Sequence, residues 1–138
     1  MRFLVLVKAT KDSEAGNYSR KAMEEMGKFN EGLVKDGIVL AMDGLHPSSK
    51  GARLRFDSGR TTITDGPFAE TKELVAGFWI VQGKSRAEVV ERFTNAPLEG
   101  GELEIRQMFE LEDMDEDIAA GIRERRERAG FEPAFQER

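Results

Sequence analysis

Two segments, Phe3-Leu4-Val5-Leu6-Val7 and Leu74-Val75-Ala76-Gly77-Phe78-Trp79-Ile80-Val81, run without a polar side chain. A strand with one wet face alternates apolar and polar residues, so unbroken apolar runs mark strands covered on both faces. Both therefore belong inside a sheet, with helices on one face and a second cover on the other. Neither is long enough for a membrane helix, which needs about 20 apolar residues. The N-terminal run is also too short for a signal-peptide core and lacks a small-residue cleavage site, so it reads as a strand.

The remaining elements follow from periodicity and punctuation. From Tyr18 to Lys35 the residues Ala22, Met23, Met26, Phe29, Leu33 and Val34 recur at steps of three and four, as on one face of a helix. Asp36-Gly37 ends it, with Gly37 suited to the left-handed position after a helix. Ile38 to Met42 reads as the second main strand. Asp43 to Ala52 is a Gly-, Ser- and Pro-containing loop carrying the only histidine. Arg53–Phe56 and Thr61–Thr64 flank Asp57-Ser58-Gly59-Arg60 as an inserted hairpin. Leu74 to Gln82 is the third strand, where Gly77 marks a bulge or a close backbone approach. Ser85-Arg86-Ala87-Glu88 fits a capping box opening a helix whose inner face is Ala87, Val90, Phe93 and Thr94. Asn95-Ala96-Pro97 closes that helix. Glu102 to Leu111 alternates, with Leu103, Ile105, Phe109 and Leu111 on one side.

The order βα, β with hairpin, βαβ predicts an α+β fold, a ferredoxin-like split βαβ with both helices on one sheet face. The uncovered face of such apolar strands predicts a homodimer. The chain of 138 residues is one domain's worth of sequence. Its formal charge of −5 is uneven: residues 1–111 hold 16 Lys/Arg and 17 Asp/Glu, whereas 112–138 hold 5 and 9. No basic stripe offers phosphate contacts, which argues against direct nucleic-acid binding. The absence of cysteine removes disulfides and thiolate chemistry and suits a cytoplasmic location. The 112–138 extension places acids first and arginines last, the polarity that favours a helix, against a frayed tail.

Thr64-Asp65-Gly66-Pro67-Phe68-Ala69-Glu70-Thr71-Lys72-Glu73 joins the hairpin to the third strand. Asp65 can bond the backbone two residues on, Gly66 tolerates positive φ and Pro67 fixes its own φ. The segment Asp65–Glu73 resembles the signature of the DGPF group within the YCII-related family. Gly44-Leu45-His46-Pro47, Leu74 to Trp79 and Glu104-Ile105-Arg106 extend the resemblance in family order, over residues 1–111. The resemblance implies a ferredoxin-like subunit paired into a dimeric α/β barrel. Relatives include enzymes acting on small ring compounds, a dehydrochlorinase of chlorinated hydroxyquinones among them, and members often occur beside extracytoplasmic-function sigma factors. It also implies a site containing a His and an Asp, to which His46 and Asp65 correspond.

His46 is the only side chain with an ordinary pKa between pH 5 and 8, and a carboxylate on one imidazole nitrogen would make the other a better base. The alternative is a loop hydrogen bond for His46 and a turn-holding role for Asp65. Glu70 and Lys72 are candidate substrate contacts or a charged approach to a strand. Arg53 and Arg55 share one hairpin face, either to orient an anionic or phenolic ligand or as a solvated surface. Phe78 and Trp79 point to opposite faces and read first as packing. One histidine and no cysteine argue against a metal site, haem included, and no glycine-rich phosphate loop, serine triad or dinucleotide fingerprint suggests a cofactor. The expected activity is binding of a small organic molecule in a dimer cleft, with cofactor-independent acid–base chemistry on His46 and Asp65. A regulatory or partner-binding module tied to a sigma-factor system is the alternative, and a purely structural dimer a third.

Overall fold

A computed structural model describes residues 1–138. The elements are β1 (Arg2–Lys8), α1 (Lys11–Glu14), α2 (Arg20–Lys35), β2 (Val39–Gly44), β3 (Ala52–Asp57), β4 (Arg60–Asp65), β5 (Val75–Gln82), α3 (Arg86–Phe93), β6 (Leu103–Gln107) and α4 (Glu116–Ala129). The main sheet has the order β2-β5-β1-β6, antiparallel throughout, and β3 and β4 form a separate ribbon. This is the ferredoxin-like arrangement expected from the apolar runs, with β1 and β5 in the middle.

Alternation along the central strands sorts their side chains. Phe3 and Val5 of β1, with Trp79 and Val81 of β5, join Leu33 of α2 and Val89 and Phe93 of α3 in one buried core. Phe3, Val5, Leu33 and Val81 are fully enclosed, each contributing roughly 1.5–3 kcal/mol by leaving water. Trp79 sits edge-on to Phe29 and Phe93, with centroids 6.2 and 5.1 Å away. Leu4 and Leu6 point the other way, opposite Ile80 and Phe78 in the register of the β1–β5 pair.

The helices turn slightly from their sequence-based faces. In α3, Val89 and Phe93 are buried while Val90 is 46% exposed, so the inner face is one residue earlier than Ala87 and Val90 suggested. Ser85 Oγ accepts the Glu88 N–H at 3.1 Å, but the Glu88 carboxylate accepts from Lys84 N–H at 3.3 Å instead of reaching back to Ser85. In α2, Met23 and Val34 are exposed and Met26, Phe29 and Leu33 face the core. Ser19 caps this helix, its Oγ accepting the Ala22 N–H at 3.0 Å, and the short α1 before it is closed by reciprocal bonds between Thr10 and Ser13. A bulge between Val39 and Ala41 offsets β2, and β6 ends at Gln107, leaving Phe109 exposed.

The chain beyond β6 continues into α4, which Gly130 ends in the left-handed conformation with φ 64. The segment after it returns to the sheet: Arg138 N–H donates to Gln82 Oε1 at 2.8 Å, and Arg2 donates to the Phe135 carbonyl at 3.2 Å. Arg2 also grips Glu110 at 2.7 and 3.1 Å, and this hydrogen-bonded carboxylate raises the Arg2 pKa above its ordinary value. Because adjacent strands are antiparallel, the ends of β1 and β2 and the starts of β5 and β6 gather at one edge. The α1 segment, the His46 loop, the hairpin, the 66–74 turn and the 94–102 connection all leave from there.

Candidate functional site at the loop edge

Ser48 organises the corner between the His46 loop and the 66–74 turn. Its N–H donates to Glu14 Oε2 at 2.9 Å, its hydroxyl donates to Glu14 Oε1, and its Oγ accepts the Phe68 N–H at 3.1 Å. One serine thus links α1, the loop after β2 and the turn after β4. Gly66 N–H donates to the Gly51 carbonyl at 2.9 Å, and the Gly66–Pro67 peptide is cis. A Cβ on Gly66 would overlap the Ser48 carbonyl oxygen, while its φ is outside the left-handed range. The glycine is thus required by close approach, not by the positive φ that the turn sequence suggested.

This packing brings the segments bearing His46 and Asp65 together, but no hydrogen bond joins their side chains. His46 is exposed two residues before Ser48, and Asp65 is exposed at the end of β4, paired in register with Ala52. Arg53 is brought against the motif: its guanidinium lies over the Phe68 ring at 3.9 Å from the centroid, a cation–π contact. Arg55 shares that hairpin face, opposite Thr62, as Arg53 is opposite Thr64. Glu70 and Lys72 are exposed around the turn Thr71–Glu73 and make no ion pair. The other hairpin face carries Leu54, Phe56 and Ile63, at 55, 76 and 67% exposure.

Beside this corner, between the first half of α2 and the sheet edge, is an open cavity of about 750 Å³. Val7, Met26, Met42, Trp79 and Leu98 supply apolar walls, and Tyr18, Asn30, Lys8 and Asp43 supply polar groups. Gly44, two residues before His46, lies on its rim, but His46, Asp65, Arg53, Arg55, Glu70 and Lys72 are outside its lining. The position of Trp79 in an apolar strand predicts packing. Trp79 does pack, and its Nε1–H also donates to Asn30 Oδ1 at 2.9 Å at the cavity wall.

Glu14, Asn30 and Ser48 were not among the residues singled out from sequence. Asn30 had a signal: it stands four residues after Met26 and three before Leu33, a polar residue on the inner stripe of α2. Glu14 and Ser48 had none, because their partners are distant in sequence.

The model of the YCII-related domain matches residues 1–112. The chain belongs to the YCII-related domain family. An uncharacterized protein, R00369, from Rhizobium meliloti (strain 1021) is 31% identical over 91 residues, covering 64% of this chain and 73% of the relative. Among solved structures, this chain is similar to the 5-chloro-2-hydroxyhydroquinone dehydrochlorinase of Burkholderia phenoliruptrix AC1100 in complex with 2,5-dihydroxybenzoquinone. The TM-score is 0.44 and the identity 17%, over 83% of this chain and 100% of that one. No helix of this YCII-related protein is long and apolar enough to cross a membrane.

Proposed function

We propose that this protein, as a DGPF-type member of its family, binds a small organic molecule in the cavity at the loop edge and performs cofactor-independent acid–base chemistry on it through His46 and Asp65. The observation that carries the reading is the cavity, whose volume of about 750 Å³ falls in the usual range for small-molecule sites, with apolar walls and a few polar groups. His46 makes no side-chain hydrogen bond, stands two residues after the cavity-lining Gly44, and is the chain's only histidine, the side-chain type most used for proton transfer. In this reading His46 takes a proton from a ring hydroxyl or an acidic carbon. The Asp65 carboxylate pairs with the imidazolium that results. Arg53, Arg55, Glu70 and Lys72 lie outside the cavity lining, and in this reading they border the approach to the site without holding the ligand.

The reading includes a cytoplasmic homodimer closed as an α/β barrel. Its support is the second sheet face, where Leu4, Leu6 and Phe78 are half-exposed, and the apolar side of the hairpin. A thermal-shift screen of phenols, quinones and lactones, with turnover assays of the hits on wild type and His46→Ala, tests the proposal. Loss of a general base lowers rate by roughly 10²- to 10⁴-fold, with ligand affinity retained. Equal rates would reject the role of His46, and hits that are never turned over would reject catalysis while leaving binding.

A further inference from the structure

Asn30 is an amide whose orientation is set by its neighbour. The Trp79 indole nitrogen can only donate, so the atom of Asn30 it meets at 2.9 Å is the oxygen. The indole is itself held edge-on between Phe29 and Phe93. The Asn30 Nδ2 group therefore faces away from the indole with two donors that no protein group accepts. No side-chain nitrogen or oxygen of the molecule is buried without a partner, so Nδ2 is open, and the space that Asn30 lines is the cavity. One turn earlier on the same helix is Gly27, also on the cavity wall, where a Cβ would meet nothing within 4 Å. A glycine in a helix interior weakens it by about 1 kcal/mol relative to alanine, and here the missing side chain leaves room beside the amide.

The charges around the opening decide which acceptor fits. Lys8 and Lys21 line the cavity together with Asp12, Glu25, Asp43 and Glu99, and Lys8 is already 3.8 Å from Glu104. Acids outnumber bases, which disfavours an anionic ligand. We propose that Asn30 Nδ2 is the specificity-determining donor of this site and that it selects an apolar ring bearing a neutral carbonyl oxygen. This rests on the reading of the cavity as a ligand site and deepens it by naming the ligand class.

Shape-matched probes separate the two statements. Acetophenone and α-methylstyrene differ essentially in a carbonyl oxygen against a methylene, and benzoate carries the anionic acceptor. The chain has one tryptophan, so a single indole N–H cross-peak reports occupancy of the cavity in an NMR titration. Wild type should bind acetophenone about 3- to 10-fold more tightly than α-methylstyrene, the range of one neutral hydrogen bond, and more tightly than benzoate. Asn30→Asp keeps an oxygen for the indole and removes the donors. It should bring acetophenone down to the affinity of α-methylstyrene, leaving the latter unchanged. Equal binding of the two rings by wild type, or a preference that survives Asn30→Asp, would overturn the role of Asn30 while leaving the cavity as a site. Failure of every probe to move the Trp79 signal would overturn both. If Asn30→Asp does not fold, Asn30→Ala serves in its place, since it also removes the Nδ2 donors, and equal binding of the two rings by wild type overturns the proposal without any variant.

Discussion

Two glycines show how little of a residue's role is visible from its name. At Gly66 the neighbouring Ser48 carbonyl leaves no space for a side chain, whereas at Gly27 nothing stands within 4 Å. Gly66→Ala should therefore destabilise the fold by about 1–3 kcal/mol, the range for overpacking. Gly27→Ala should stabilise it by up to about 1 kcal/mol through helix propensity. Chemical denaturation of both variants checks the pair, and a change of the same sign in the two would contradict it. The turn sequence made Gly66 conspicuous but suggested the wrong reason, because its constraint comes from a carbonyl 18 positions away in sequence. Asn30 was legible only as an interruption of an apolar stripe, since its meaning depends on Trp79 across the helix–sheet interface.

Among the elements, those set by their own periodicity were legible. The two apolar runs became the central strands, and the Ser58-Gly59 turn of the hairpin has positive φ at both residues, 47 and 81, as a two-residue loop requires. The helices were placed, but their rotation was not: the choice of Val89 over Val90 is made by the sheet beneath α3. The short α1 is not legible in the sequence, because no apolar pattern marks it and none of its residues is buried. Its weight in the structure comes from Glu14, which holds Ser48. Replacing Ser48 by alanine leaves the Phe68 N–H without its acceptor and Glu14 without its donor hydroxyl. The expected loss is about 1–3 kcal/mol, with faster hydrogen exchange at the Phe68 amide. Unchanged exchange there would mean that the serine does not tie the turn to the loop.

For the whole molecule, the split βαβ order gathers five connections at one sheet edge, and the cavity and the His46 corner follow from that gathering. The sheet topology was legible from sequence; the cavity was not, because it lies between surfaces whose residues span Val7 to Gly101. The proposed dimer uses the sheet face of Leu4, Leu6 and Phe78, so sedimentation equilibrium at micromolar concentration should give twice the 15.5 kDa protomer mass. A monomer that unfolds cooperatively would contradict it. If the cavity beside α2 holds the ligand, filling it should block binding. Gly27→Phe places a ring where wild type has open space, without removing any packed side chain. Titration of the best thermal-shift hit into wild type and Gly27→Phe, followed at the Trp79 indole signal, should show affinity falling by at least about tenfold, or roughly 1.4 kcal/mol, in a variant that remains folded. Equal affinity in the two proteins would place the ligand outside this cavity.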